Sequence, residues 1–261
     1  MKYAVLADIH GNLHALESVL HAFPAAAVDG YVVAGDLVGY GPHPNECVDI
    51  VRALDCVCVA GNHDLIALGK LPDDRLGRLA RETLEWTRRE LREDVRGYLE
   101  RLPQVAELEG GVVVAHGTLR DPTVYVREWR QAVDQLAELR DRRPNARTLV
   151  LGHTHRPSAW TASGQRLPIS RKPTPLPPEP ILVNPGAVGQ ARAVLPRAQF
   201  LLLDLERGEV TFRRSRYDIR ACRRALTRAG LPPEACHQRP AARRGFARAR
   251  RWWHEATDRR P

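Results

Sequence analysis

The sequence of 261 residues predicts an α/β fold with a mainly parallel sheet. Three observations carry this expectation. Apolar runs of strand length alternate with segments of helical period over about the first 150 residues. Each run ends in a small polar or glycine-containing cluster, as strands do before a crossover. Beyond His155 the texture shifts to short strands and turns, which adds an antiparallel or mixed second sheet.

In order, YAVLAD (3–8) reads as a strand and LHALESVLHAF (13–23) as a helix with Asn12 at its N-cap. The strand YVVAGD (31–36), the helix NECVDIVRAL (45–54) and the strand CVCVAG (56–61) follow. A charged segment from Asp73 to Leu102 is helical by composition, with Leu76, Leu79, Leu84, Trp86 and Leu91 as its buried positions. VVVAHG (112–117) is a strand, the stretch around 130–140 a helix, and TLVLGH (148–153) a strand. SAWTASGQRL is expected to fold as a hairpin turning at Ser163 and Gly164, and FLLLDLERGEVTFRRSRYD as another turning at Arg207 and Gly208. Between them PISRKPTPLPPEP (168–180) is too proline-rich for regular structure and reads as an extended, mobile loop. DIRACRRALTRAG is a helix stopped by Gly230 and Pro232, and AARRGFARARRWWHEATDRR is a further basic helix or a frayed end. The organisation expected is a main domain over 1–217 with an Arg-rich helical extension over 218–261, packed on that domain or trailing from it.

Composition bounds the function. With 43% hydrophobic and 27% charged residues the chain has the make-up of a soluble globular protein. No apolar run approaches the roughly 18 residues needed to cross a bilayer, and MKYAVLAD lacks the longer apolar core of a signal peptide. The expectation is a cytoplasmic protein without membrane contact. The five cysteines, Cys47, Cys56, Cys58, Cys222 and Cys236, have no CxxC spacing, which argues against a disulfide framework or a zinc knuckle. The net charge of +9 belongs to the tail, where fifteen arginines from Arg213 onward face only Asp218, Glu234, Glu255 and Asp258. Arginine mixed with Trp252 and Trp253 could contact nucleic acid. Lysine occurs only at positions 2, 70 and 172, so arginine is used throughout the chain, and a solvated or packing helix is the favoured reading of the tail.

Chemistry is concentrated in five short elements at strand ends or just after them: DIH (8–10), GD (35–36), GNHD (61–64), HG (116–117) and GHTH (152–155). In a parallel α/β sheet the carboxyl ends of the strands share one edge, where ligands bind. Side chains at i and i+2 of a strand leave the same side, so Asp8 and His10 can converge while Ile9 stays in the core. The set offers two aspartates, four histidines and an asparagine amide, enough for two metal ions with one shared carboxylate. Nitrogen and oxygen ligands without thiolate suit manganese, iron, zinc and related ions. Two such ions can activate water and clamp both oxygens of an in-line phosphoryl displacement.

These motifs, in this order, resemble the calcineurin-like metallophosphoesterase family over about residues 2–217. The resemblance implies a four-layer α/β/β/α sandwich of two mixed β-sheets flanked by helices. It implies that Asp8, His10, Asp36 and His155 hold one metal, and that Asp36, Asn62, His116 and His153 hold the other. His63 would then face the substrate and assist the leaving oxygen, with Asp64 orienting its imidazole. The expected cofactor is a pair of divalent ions, Mn2+ first, with Fe, Zn, Ni, Co or Mg as alternatives. Family members that grip phosphate through an arginine in GDxVDRG or GDLVxRGP differ from this chain, which reads GDLVGYGP with Tyr40 at that position. The chain is more similar to the bacterial phosphodiesterase subgroup, where an NPGSVG-like turn follows GHTH; here that turn is Asn184–Gly189, with Ala187 for the serine. Tyr40 and His43 are candidate substrate contacts, with a turn shaped by glycine and proline as the other reading. Asn184 and Gly186 are expected to shape their turn. The implied function is hydrolysis of phosphate monoesters or diesters, on small organic phosphates or nucleotides such as cyclic nucleotides. A non-catalytic scaffold of the same fold and a nucleic-acid-binding or -processing protein using the basic tail are the alternatives.

Overall fold

A computed structural model describes residues 1–24, 27–54 and 56–238. It contains two mixed β-sheets packed face to face. The first is built around β1 (Lys2–Leu6), with β2 (Gly30–Val33) and β3 (Cys56–Cys58) parallel on one side. On the other side lie β10 (Ala198–Asp204), antiparallel to β1, then β11 (Glu209–Ser215), antiparallel to β10, and the two-residue edge strand β8 (Thr174–Pro175), antiparallel to β11. The second sheet runs β4 (Val105–Leu108), β5 (Val112–Ala115), β6 (Thr148–Val150), β9 (Ile181–Asn184) and β7 (Ser158–Thr161), with the three central strands parallel and both edges antiparallel.

Alternation along each central strand explains the layering. In β1, Val5 and the adjoining Ala7 face Val112, Val150 and Val183 between the sheets. Ala4 and Leu6 face the other way, into a cluster with Leu16 and Val19 of α1 (Leu13–Leu20) and Val48 and Val51 of α2 (Pro44–Ala53). Helices α3 (Asn62–Ala67), α4 (Arg78–Glu90) and α5 (Glu93–Arg101) complete that outer layer. On the far side α6 (Trp129–Arg142) covers the second sheet through Leu136 and Leu139 against Leu149 and Leu182. A strand buried on both faces reads as a continuous apolar run, which is why these strands stand out in the sequence.

Several expectations are corrected. The strands after His155 do not form a sheet of their own: β7 and β9 join the second sheet, while β10 and β11 pair with β1 in the first. The SAWTASGQRL turn forms, with Thr161 N–H bonded to the Gln165 carbonyl, but the returning arm makes a single bridge, Trp160 to Arg166. The partner of β7 is β9. Within the proline-rich segment, Thr174–Pro175 is an edge strand on β11, a place where proline's missing N–H does no harm. The 73–102 segment is two helices, broken at Leu91–Arg92; Asn45 holds the break, donating to the Glu90 carbonyl and accepting from Arg92 N–H. Strand β4 was not expected; Gly110 and Gly111, with φ of 80° and 72°, turn it back into β5.

Helix α7 (Ile219–Arg228) is capped by Asp218, whose carboxylate accepts from Ala221 N–H, and ends before Gly230 at φ 72°. With a 3-10 turn at Pro233–Cys236 it packs Cys222, Leu226 and Cys236 against Tyr40 and Ala80. Among the described residues no helix is long and apolar enough to cross a membrane. The expected basic helix over 241–260 lies outside the described residues.

Candidate metal centre

The five motifs meet where the parallel strands of both sheets end, and the backbone there is strained. Six residues other than glycine have φ between 50° and 65°: Asp8, His10, Asp36, Tyr40, His153 and His155. Side chains other than glycine rarely adopt this region, and such outliers gather at functional sites. The convergence of Asp8 and His10 is therefore not strand alternation. β1 ends at Leu6, and the DIH segment is a loop of left-handed turns that still buries Ile9 in the core. Gly61 is obligatory, because a Cβ there would collide with the carboxylate of Asp36.

Backbone carbonyls fix the imidazole tautomers. A carbonyl can only accept, so the ring nitrogen facing it carries the proton. His10 donates from Nδ1 to Val38 O at 3.0 Å, His116 to Ala34 O at 2.7 Å and His155 to Gln190 O at 2.7 Å. His153 is turned the other way and donates from Nε2 to Thr123 O at 3.0 Å. Each ring thus turns its remaining nitrogen toward the centre, and that nitrogen, once unprotonated, is the one through which histidine binds metal.

Those nitrogens converge on carboxylates. Asp36 Oδ2 lies 3.2 Å from His116 Nε2 and 3.5 Å from His10 Nε2, while Asp8 Oδ1 lies 3.5 Å from His155 Nε2. Asn62 presents Oδ1 to His116 Nε2 at 3.1 Å. Two groups with donor atoms close enough to hold an ion result, Asp8–His10–Asp36–His155 and Asp36–His116–His153, with Asp36 in both. Asp8 Oδ2 and Asp36 Oδ2 are buried without a hydrogen-bond partner. Orphaned acceptors facing one another in a buried site cost free energy unless a cation lies among them. The residues present therefore fit two divalent ions.

Burial pushes the Asp8 carboxyl up to about 8, against the attraction of His116. Burial also opposes ionisation of Asp36, but His116, His63 and His10 outweigh it and hold that carboxyl well below its usual range. His116 is raised to about 9, burial being overcome by Asp36. Burial lowers His10, His155 and His63, and takes His153 down to about 3.

His63 sits at this centre, its ring 4.8 Å from those of both His10 and Tyr40. The expected contact with Asp64 is not made. The Asp64 carboxylate accepts from the backbone N–H groups of Asp36, Gly61, Leu37 and Val38, and His63 Nδ1 has no partner. Asp64 braces the Asp36 loop instead of the imidazole. Tyr40 is 5% exposed and packs edge-on against His10 at 4.7 Å. His43 lies elsewhere: it is the N-cap residue of α2, with its ring 5.6 Å from His14 and Nδ1 3.7 Å from Glu46. Asn184 shapes its turn by accepting from Gly186 N–H, and ties that turn to GHTH by donating to Gly152 O and Thr154 Oγ1.

Two residues at the centre carry no motif. Tyr125 stacks on His153, centroids 3.8 Å apart at 18°, and Arg127 covers its other face at 3.9 Å. Arg192 lies beside Tyr125, and its charge acts on Asp8, Tyr40, His10, His63 and His155. Its Nε is buried and unpartnered. The only signal in the sequence was position, three residues beyond the NPGAVG turn.

Comparison with known proteins is decisive about the family. The model of the calcineurin-like phosphoesterase superfamily domain matches residues 1–208. The chain belongs to this superfamily. Among its relatives, the uncharacterized protein MJ0912 of Methanocaldococcus jannaschii is 30% identical over 88% of this chain and 93% of its own length. The crystal structure of a metallophosphoesterase from Sphaerobacter thermophilus is 33% identical, with a TM-score of 0.79 over 90% of this chain and 96% of that one. The hypothetical protein PH1004 from Pyrococcus horikoshii OT3 shares the fold at 21% identity, with a TM-score of 0.72 over 90% of this chain and 96% of that one. The α/β/β/α layering is thus the phosphoesterase superfamily's own.

Proposed function

We propose that the protein is a metal-dependent phosphoric ester hydrolase acting on diesters or monoesters of small organic phosphates or nucleotides, cyclic nucleotides included. One observation carries the reading: a single unpartnered oxygen, Asp36 Oδ2, is shared between two ligand groups. Asp8, His10, Asp36 and His155 would hold one divalent ion, and Asp36, Asn62, His116 and His153 the other. Manganese is the first expectation for this nitrogen and oxygen set. When bound, such ions acidify water and neutralise charge on phosphate oxygens.

The chain's own side chains do the rest. His63, kept neutral by burial, offers an imidazole N–H to the leaving oxygen and stabilises the charge that develops there. The guanidinium of Arg192 binds a non-bridging phosphate oxygen, the role for which Tyr40 has no charge. Tyr40 walls off water from His63 and His10. The alternative of a non-catalytic scaffold does not account for a buried, unpaired Arg192 Nε beside the ligand cluster.

The test is hydrolysis of bis-p-nitrophenyl phosphate and p-nitrophenyl phosphate by metal-stripped protein resupplied with manganese, beside Asp36→Asn. Turnover that returns with metal and is absent from the variant is the expected result. No turnover with any divalent ion would overturn the reading, and the diester to monoester ratio would set the reaction type.

A further inference from the structure

Beside the ligand cluster lies a cleft of about 400 Å3 that the chemistry above does not use. Its walls come from Val126–Trp129 at the start of α6, from Thr154, Arg156 and Pro157, and from Ser158, Trp160 and Arg166 around the β7 turn. Two links join it to the metal centre. Thr154 sits between His153 and His155 in GHTH, and Tyr125, the residue before Val126, stacks on His153.

The lining has an unusual pairing of charge and ring. Arg127, Arg156 and Arg166 are exposed and, among the described residues, form no ion pair with a carboxylate; Arg127 lies over the face of Tyr125 and Arg166 over that of Trp160. The one acidic side chain in the lining, Glu128, is the N-cap residue of α6, where its backbone N–H donates to Gln131 Oε1 at 3.1 Å. Trp129 is 49% exposed, with Gly164 against its ring and the Arg130 guanidinium 5.3 Å from its centroid, so a large aromatic side chain is held in place at the wall of the cleft. Arginine forks bind phosphate, and indole faces stack on planar rings. A cleft of this size lies in the range of small-ligand sites.

We propose that this cleft binds a nucleotide, and specifically the distal nucleotide arm of a substrate whose scissile phosphate lies at the metal centre. The arm's phosphate meets Arg156 and its neighbours, and its base lies against Trp129 and Trp160. The substrate class is then a dinucleotide or a nucleotide joined through phosphate to a second group, in preference to a small monoester. This rests on the phosphoesterase reading for its catalytic half only.

The experiment uses full-length, manganese-loaded protein and two probes, AMP and inorganic phosphate, titrated by calorimetry into wild type, Arg156→Ala and Trp129→Ala. Both side chains are exposed, so the variants keep the fold. The expected result is saturable AMP binding weakened roughly tenfold in each variant, with inorganic phosphate binding unchanged because the metal centre alone holds it. AMP binding equal in all three proteins, or absent from the wild type, would overturn the proposal. So would a parallel loss of AMP and phosphate binding, which would mean that the variants had disturbed the metal centre. A kinetic arm separates the two readings: the ratio of kcat/KM for a 5′-phosphorylated diadenylate over bis-p-nitrophenyl phosphate is expected to fall about tenfold in Arg156→Ala. AMP binding with the expected variant losses in a protein that hydrolyses neither ester would leave the nucleotide site standing and remove the hydrolase.

Discussion

His10 Nε2 and His155 Nε2 face each other at 3.1 Å, and both rings spend their only proton on a backbone carbonyl on the opposite side. Two lone pairs at that separation repel, and burial lowers the affinity of both rings for a second proton. A divalent cation relieves the conflict. The expected outcome is that manganese raises the thermal midpoint of the metal-stripped protein, by the equivalent of about 2.7 kcal/mol at a hundredfold excess over Kd. In His155→Ala the shift should shrink and metal analysis should find about one ion per chain fewer. An unchanged midpoint with added metal would mean that the histidines are held apart by packing alone.

His63 touches Tyr40 and His10 by its ring but accepts or donates nothing through Nδ1. Its removal should leave ligation intact. His63→Ala is expected to keep the wild-type metal content while kcat falls about 10²- to 10³-fold, the usual scale for one preorganised donor. Loss of metal together with activity would make His63 a structural wedge.

Asp64 has a different kind of importance from the one its place in GNHD implies. Its two oxygens take four backbone N–H groups, three of them in the Asp36–Val38 stretch that sets the shared ligand. Asp64→Ala would orphan all four in a fully buried site. A loss of about 3 kcal/mol in stability is expected, with metal binding lost in parallel. Urea unfolding of the metal-stripped variant separates the two effects, because a role confined to catalysis would leave the midpoint unmoved.

How much of this was legible in the sequence follows from the range of the forces involved. The central strands announced themselves because residues such as Val5 and Leu6 are buried on opposite faces of one sheet. The ligands were legible because each follows a strand end, and parallel strands bring those ends to one edge. What could not be read was direction. His43 lies next to the motif, yet as the N-cap residue of α2 it turns to His14. Asp64 adjoins His63, yet a helix start spends its carboxylate on backbone. Arg192 and Tyr125 reach the centre from loops without a motif, placed there by tertiary packing. Strand β4 was obscured by the charges around it, although the Gly110–Gly111 pair marked its turn.

The outer helices are joined by charge, and acid should undo the joint. Asp94 at the start of α5 accepts from Arg92 Nε at 3.0 Å and from Arg52 of α2 at 3.1 Å, while Arg92 also reaches Asp49 at 2.8 Å. The hydrogen bond from Arg92 is the largest cause holding the Asp94 carboxyl down at about 2. In the unfolded chain the group titrates near its ordinary value of about 3.9. The folded protein therefore binds the proton more weakly, so the network stabilises fully above about pH 4 and its contribution is lost as pH falls toward 2. Because Asp94 is exposed, the effect is small and screened by salt. Asp94→Asn should lower the urea midpoint at pH 7 and low ionic strength, and the gap from wild type should close by about pH 2. A gap of the same size at both pH values would mean that Asp94 acts through the N-terminal turn of α5 and not through its charge.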